Sequence, residues 1–133
     1  MRDQHMGACL CGANQFEVEG AFESFYLCHC THCQKDSGAA HTANLFSSSA
    51  TLVWRSGVGQ RTTYTLPGTR HTRSFCAACG SALPYTLDGL LVVPAGALTT
   101  DVDIAPSAHI FVASKAGWER KLAETPSFDG FPM

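Results

Sequence analysis

The alternation of apolar and charged residues is the clearest local signal in this chain, and it has the period of a β-strand. Phe16-Glu17-Val18-Glu19 places two apolar side chains on one face and two carboxylates on the other, and Gly20 follows directly. Side chains of a half-buried strand alternate between core and solvent in this way. The segment is therefore predicted to be a strand that ends at Gly20.

Short apolar runs separated by glycine and proline continue this pattern through most of the chain. Asp88-Gly89 lies between two such runs, which is typical of a tight hairpin. The helical candidates are a short turn after Cys30 and residues 115–122, and residues 126–133 are predicted to form an irregular tail. The other predicted strands are 51–54, 61–66, 70–75, 82–86, 90–93 and 109–112. These elements predict a mainly β fold of packed antiparallel sheets with little helix.

Composition adds limits on size, partners and location. A chain of 133 residues, 45% hydrophobic and 15% charged, is expected to form one domain over residues 1–133 with its own core. A net charge of -2 provides no broad basic surface, so neither nucleic acid nor a membrane is an expected partner. The amino end, MRDQHMGACLCG, lacks the apolar run of a signal peptide, and a cytoplasmic location is therefore expected.

Cysteine is the residue type that points to chemistry. In a reducing compartment, metal binding explains so many cysteines better than disulfides do. The cysteines fall into two pairs and a triplet: Cys9-x-Cys11, Cys76-x2-Cys79 and Cys28-x-Cys30-x2-Cys33.

The two pairs together supply four sulfurs, the number that a structural zinc needs. Gly12 and Gly80 follow directly after the pairs, and glycine allows the positive φ that a metal-binding turn often requires. A zinc held by both pairs would close a very long loop and stabilise the fold. The alternative is that these cysteines are inert and buried, or form a disulfide.

The triplet leaves three sulfurs without a fourth cysteine. Three protein ligands and one open position are typical of a catalytic zinc. Three alternatives stay open: His29 or His32 closes the site as a fourth ligand, Cys30 and Cys33 act as a redox dithiol, or the site binds metal weakly.

Five segments in order resemble one known family. GACLCG, CHCTHCQKDSG, FCAACGSAL, VPAGAL and HIFVASKAGW with a Pro-Ser-Phe tail are similar to segments of the glutathione-dependent formaldehyde-activating enzyme and centromere protein V family, from Gly7 to Pro132. The resemblance implies a β-tent fold of antiparallel sheets held together by zinc. It also implies a structural zinc at Cys9, Cys11, Cys76 and Cys79, and a second, more labile and catalytic zinc at Cys28, Cys30 and Cys33.

The same resemblance implies a carbon-sulfur lyase that interconverts S-(hydroxymethyl)glutathione with glutathione and formaldehyde. A small thiol, glutathione in the named enzyme, is then the expected partner. An open position on a three-cysteine zinc suits a substrate thiolate. His29, His32 and Lys35 are near in sequence and are candidates for moving the proton, although each also fits a solvated loop residue.

Glutathione carries two carboxylates, which arginine binds well. Arg61, Arg70, His71 and Arg73 are candidates for such a clamp, but the alternation over residues 70–75 favours the polar face of an exposed strand. Two other classes of function remain: a zinc-binding scaffold or small-thiol-binding protein without catalysis, and a chromatin-associated module, which the acidic balance disfavours.

Overall fold

The computed structural model describes residues 3–132, and β-strands form most of its regular structure. The one α-helix of the described residues, α1, spans Thr31–Ser37. The strands are β1 Gln4–Ala8, β2 Gln15–Glu19, β3 Ser24–Cys28, β4 Thr42–Ser47, β5 Thr51–Ser56, β6 Arg61–Thr65, β7 Thr72–Cys76, β8 Ala82–Leu83, β9 Tyr85–Leu87, β10 Leu90–Pro94 and β11 Ala108–Ile110.

The strands pair into three small sheets. Strand order is β1-β2-β5 in the first sheet, β11-β3-β4-β10-β9 in the second and β6-β7-β8 in the third. All pairs are antiparallel except β11 with β3, where Ala108 lies opposite Tyr26 in a parallel register. The mainly β, antiparallel fold class with little helix is confirmed, with this one parallel pair as an addition to the expectation.

The core lies where the inner faces of these sheets meet. Phe16, Val18, Leu45, Leu83 and Val93 are at most 1% exposed and belong to one cluster of buried side chains. Alternate residues of β2 enter this cluster, because successive side chains of a strand point to opposite faces. The alternation of Phe16 and Val18 with two glutamates was therefore a correct guide to the core.

Three strands were missed, and others have different bounds. β1 and β3 contain no simple alternation of apolar and polar residues, and β4 alternates only over residues 42–45. β3 and β4 lie in the middle of the second sheet. Pro84 divides the strand predicted at 82–86 into β8 and β9, since proline cannot donate a ladder hydrogen bond. The strand predicted at 70–75 begins only at Thr72, and its polar face is not exposed: Thr72 and Ser74 are 8% and 4% exposed.

The carboxyl-terminal segment also departs from expectation. The helix predicted over residues 115–122 is wrong, because the structure has two short 3-10 turns there, Gly117–Glu119 and Leu122–Glu124. The strand predicted at 109–112 stops at Ile110, and Phe111 takes a left-handed conformation with φ 57°. The irregular tail is confirmed as far as Pro132. Across residues 3–132, no helix has the length and apolarity needed to cross a membrane.

Candidate metal centres and the adjoining cleft

The first cysteine cluster forms where two tight turns meet. Cys9 and Cys11 lie in the turn between β1 and β2, and Cys76 and Cys79 lie at the end of β7. The four Sγ atoms are within 4.8 Å of one another. Both turns use a left-handed glycine as predicted: Gly12 has φ 83° and Gly80 has φ 78°. Each glycine N–H donates to the carbonyl of the first cysteine of its pair.

The sulfur spacing fits a tetrahedral metal rather than disulfides. Cys9 Sγ lies 3.7 Å from Cys11 Sγ, and Cys11 Sγ lies 3.9 Å from Cys76 Sγ. Two zinc–sulfur bonds of about 2.3 Å at a tetrahedral angle separate their sulfurs by about 3.8 Å, whereas a disulfide bond is about 2.05 Å. Within the described residues all seven cysteines are free thiols. The donor set and its spacing therefore fit a zinc ion.

Backbone and hydroxyl donors surround these sulfurs. The N–H of Asn14 donates to Cys9 Sγ at 3.2 Å, and the N–H of Ala78 donates to Cys76 Sγ at 3.4 Å. The hydrogen bond with the Ser81 hydroxyl is the main reason that the pKa of the Cys79 thiol is lowered to about 5. Such donors favour thiolates, which are the form of cysteine that binds metals.

The second cluster is formed at the junction of β3 and α1. Cys28 ends β3, Cys30 is the N-cap of α1 and Cys33 lies in its first turn, and their Sγ atoms are within 4.8 Å of one another. Cys33 is buried, whereas Cys28 and Cys30 are partly exposed. The structure thus brings all three predicted sulfurs together without a fourth cysteine.

The three thiols of this triplet differ in acidity. Burial raises the pKa of Cys28 and of Cys33 above the ordinary value for a thiol. Burial also acts to raise the pKa of Cys30, but hydrogen bonds, first among them that from the N–H of Cys33 at 3.4 Å, lower it overall. Cys30 is therefore the thiol of the three that loses its proton most readily in the absence of a metal.

A cleft of about 920 Å³ adjoins the triplet, and both Cys28 and Cys33 lie in its wall. Pockets that bind small molecules have volumes of about 300–1,000 Å³. Tyr85 also lines the cleft, and burial raises the pKa of its hydroxyl to about 12, so it stays protonated at neutral pH. The cleft is large enough for a small peptide-like thiol beside the cysteines.

A histidine–carboxylate pair lies in the wall of the same cleft. His71 Nε2 donates to Asp36 Oδ2, and the two side chains are 20% and 24% exposed. The carboxylate favours the tautomer with hydrogen on Nε2, which leaves Nδ1 as an acceptor. His71 is also close to the triplet, because ligand atoms of Cys30, His32 and His71 lie within 4.8 Å of one another. The sequence pattern predicted His71 only as a candidate for binding a carboxylate. Asp36 comes from α1 and has no sequence signal that joins it to residue 71.

The arginines divide into two groups. Arg61 stacks on Trp54, with its guanidinium carbon 3.8 Å from the ring centroid, and donates to Asn14 and to backbone carbonyls. These contacts make it a structural residue rather than part of a clamp. Arg70 and Arg73 both line the cleft, and Arg70 forms an exposed ion pair with Asp88. Arg70, His71 and Arg73 are thus brought together at the cleft, without Arg61.

The three proton-transfer candidates from the sequence lie in different surroundings. The His32 ring lies against the His71 ring at a tilt of 54°, with centroids 5.2 Å apart, and His32 is near Cys30. His29 is 1% exposed, and its ring nitrogens lie near His109 and Glu119. Lys35 is exposed and lines a small depression with Trp118, outside the residues that line the cysteine cleft.

Comparisons with known proteins agree with this arrangement. The family model "Glutathione-dependent formaldehyde-activating enzyme" matches residues 4–114. The chain belongs to this glutathione-dependent formaldehyde-activating enzyme family. A crystal structure of a Rhodobacter sphaeroides protein, a structural genomics target, is similar with a TM-score of 0.57 and 26% identity, over 78% of this chain and 98% of that one. No curated protein matches the chain significantly.

Proposed function

We propose that this protein is a zinc-dependent carbon-sulfur lyase that acts on the adduct of a small thiol and an aldehyde, with glutathione and formaldehyde as the reference pair. The observation that carries this proposal is the meeting of three cysteine sulfurs with a cleft whose wall also holds the His71–Asp36 pair. Membership of the family supports a function related to glutathione and formaldehyde at the level of the family.

The proposal includes two zinc sites. Cys9, Cys11, Cys76 and Cys79 would hold a structural zinc, because four sulfurs at tetrahedral spacing complete its coordination. Cys28, Cys30 and Cys33 would hold the second zinc, with one position left for a substrate. Such a zinc stabilises a bound thiol as its thiolate and so supplies a nucleophile at neutral pH.

Residues of the cleft would transfer the thiol proton to the carbonyl oxygen. In the synthetic direction the substrate sulfur forms a bond to the carbonyl carbon, the carbonyl π electrons move to oxygen, and the thiol proton is transferred to that oxygen. His71 Nδ1 is proposed to accept the thiol proton and return it to the oxygen, so that atoms and charge balance. Asp36 acts through His71, because it holds the ring by a hydrogen bond at Nε2.

Arg70 and Arg73 are proposed to bind a carboxylate of the thiol substrate. Both side chains line the cleft, and neither donates to several backbone carbonyls as Arg61 does. Arg73 lies over the Phe75 ring, 5.0 Å from its centroid, and donates a 3.3 Å hydrogen bond to the Gly80 carbonyl, while Arg70 forms an ion pair with the exposed carboxylate of Asp88. A guanidinium that is free to reorient can form paired hydrogen bonds with a carboxylate.

A zinc scaffold without catalysis is the second candidate, and one observation favours it. His32 and His71 each place a ring nitrogen within 4.8 Å of Cys30 Sγ and of one another. If either histidine completed the coordination of the triplet metal, the site would have four protein ligands, which is typical of structural zinc. The two candidates differ in whether an added thiol reaches the metal.

Turnover of thiol and aldehyde by wild type and Cys30→Ser tests the lyase proposal. Zinc lowers a barrier by several kcal/mol in such roles, and each 1.36 kcal/mol is a factor of ten, so the variant is expected to lose about 100-fold or more. Thr31→Ala, an exposed neighbour that does not line the cleft, is the control and should keep its activity. Equal rates for wild type, Cys30→Ser and the uncatalysed reaction would support the scaffold instead.

A further inference from the structure

A second group of converging side chains lies beside the cysteine triplet. His29 follows β3, His41 precedes β4, and Glu119 ends the 3-10 turn Gly117–Glu119. One ligand atom from each lies within 4.8 Å of the other two. The side chains of His29 and Glu119 are 1% and 8% exposed. Three separate segments of the chain therefore deliver two imidazoles and a carboxylate to one buried point.

The atoms that meet there lack hydrogen-bond partners. Within residues 3–132, His29 Nδ1, His41 Nδ1 and Glu119 Oε1 are the buried side-chain nitrogen and oxygen atoms without one. Burial of an unpaired polar atom destabilises the folded state, and such atoms are rare in folded proteins. These three atoms belong to the same three residues whose ligand atoms converge, which indicates that something outside the chain satisfies them together.

The geometry of two of these atoms fits shared coordination. His29 Nδ1 lies 3.1 Å from Glu119 Oε1, yet the pair is not aligned as a hydrogen bond. Metal–nitrogen and metal–oxygen bonds of about 2.0–2.1 Å at a tetrahedral angle place their donor atoms about 3.3 Å apart. Close approach without alignment is therefore expected when both atoms point to a common ion.

His29 also has the outer support that metal-binding histidines use. Its Nε2 lies 2.8 Å from His109 Nδ1. Donation from His29 Nε2–H to His109 leaves a lone pair on His29 Nδ1, as metal ligation requires. The Gln34 amide donates to the carbonyls of His29 and Ser114, which ties the triplet helix to the segment that leads to Glu119.

The positive charge of Lys115 disfavours the binding of a cation at Glu119. Lys115 Nζ lies 3.9 Å from Glu119 Oε1, and the lysine side chain is 45% exposed. Its ammonium group competes for the same oxygen but can move into solvent. Removal of this charge should therefore tighten the binding of a cation to Glu119, and this effect separates a metal site from a simple buried histidine–carboxylate contact.

We propose that His29 Nδ1, His41 Nδ1 and Glu119 Oε1 form a third metal site, which takes a zinc-type divalent cation of the first transition series. Two imidazoles and a carboxylate suit such ions rather than calcium or magnesium, which prefer oxygen ligands alone. Glu119 lies beyond the residues 4–114 that the family model matches, so the site depends on this chain's own carboxyl-terminal segment.

Cobalt(II) titration of the full-length protein, loaded beforehand with only two equivalents of zinc to fill the two cysteine clusters, tests this site. Cobalt on nitrogen and oxygen ligands gives visible ligand-field bands without the sulfur-to-cobalt charge transfer of thiolate sites. Wild type is expected to take up about one equivalent of this kind, counted by equilibrium dialysis with metal analysis. Glu119→Gln and His41→Ala should lose it, whereas Glu124→Gln, a carboxylate of the same segment outside the cluster, should retain it.

Two further variants sharpen the result. His109→Ala removes the partner of His29 and should weaken cobalt binding about 10- to 100-fold, while Lys115→Met should strengthen it. Anomalous diffraction from cobalt-soaked wild-type crystals gives the answer without variants, with a peak expected among the three side chains. Absence of that peak, absence of thiolate-free cobalt bands, or equal binding by wild type and Glu119→Gln would overturn the proposal.

Discussion

Both cysteine clusters offer cysteine sulfurs as metal ligands, but they join different parts of the chain. Cys11 and Cys76 are 65 positions apart in sequence, yet their sulfurs are 3.9 Å apart, so the first cluster joins distant turns. The triplet lies within six residues at the start of one short helix, and two of its members form part of a cleft wall. Four cysteine ligands that close a long loop are suited to stabilising the fold. Three cysteine ligands beside a cleft leave a metal position open and are suited to catalysis.

Loss of a first-cluster sulfur is expected to have the largest effect. Cys76 is 1% exposed, and Cys76→Ser would remove a proposed zinc ligand from the joint between two sheets. Because binding of a structural metal contributes directly to folding, the free energy of unfolding should fall by more than about 4 kcal/mol. Chemical denaturation followed by circular dichroism measures this loss. Cys30→Ser is the control and should still unfold cooperatively; similar losses in both variants would show that the clusters share one structural role.

Chelator treatment should separate the clusters next. A site with an open position exchanges faster than a closed tetrathiolate, so about one equivalent of zinc should leave early while the fold persists. The second equivalent should leave only as the protein unfolds. Zinc release measured together with circular dichroism gives the order in which the two ions leave. Simultaneous release of both ions would contradict the distinction between an open and a closed site.

Asp36→Asn is expected to have a smaller effect that is confined to catalysis. The carboxylate orients His71, so its loss should lower kcat about tenfold or more while the KM for the thiol stays the same. Steady-state kinetics with varied thiol separate these two parameters. Asp88→Asn, which breaks the exposed Arg70 pair, changes the same group outside the proposed proton path and is the matched control for kcat. A fall in kcat of equal size in both variants would contradict the proposal that Asp36 positions His71.

Gly12→Ala tests the turns of the first cluster with the smallest expected effect. Nothing lies within 4 Å of the added methyl group, so the left-handed backbone at φ 83° is the source of the cost, about 1–2 kcal/mol. Gly38→Ala, with φ 68° and similar open space at the end of α1, should cost about as much. Urea denaturation measures both. A gain in stability from Gly12→Ala would contradict the need for a left-handed turn.

Local patterns predicted part of the fold. The alternation of β2 identified Phe16 and Val18 as core residues, and Asp88-Gly89 correctly indicated the turn between β9 and β10. β3 and β4 were missed because they lie within a sheet and have partial burial on both faces: β3 shows no simple alternation, and β4 alternates only over residues 42–45 before Phe46 breaks the pattern. Burial of a residue in this sheet depends on which strands pair with its own strand, and the local sequence does not show that pairing.

The same limit applies to the candidate site. Cysteine spacing identified each pair and the triplet, since ligands close in sequence are close in space, and the need of a structural zinc for four sulfurs joined the two pairs as the structure does. Tertiary packing joins His71 to Asp36 across 35 positions, and it joins Glu119 to His41 and His29 across 78 and 90 positions; no short motif connects these residues. Groups of residues that are distant in sequence could therefore be identified only from the structure.

Cadmium NMR of the cadmium-substituted protein tests most directly whether the two clusters differ as proposed, because the chemical shift reports the number of thiolate ligands. The account predicts two resonances with sulfur-rich shifts, of which the one from Cys9, Cys11, Cys76 and Cys79 is insensitive to glutathione. The resonance from Cys28, Cys30 and Cys33 should move as the thiol is added, and Cys30→Ser should abolish this response. Two resonances that are both unaffected by glutathione would contradict an open site at the triplet.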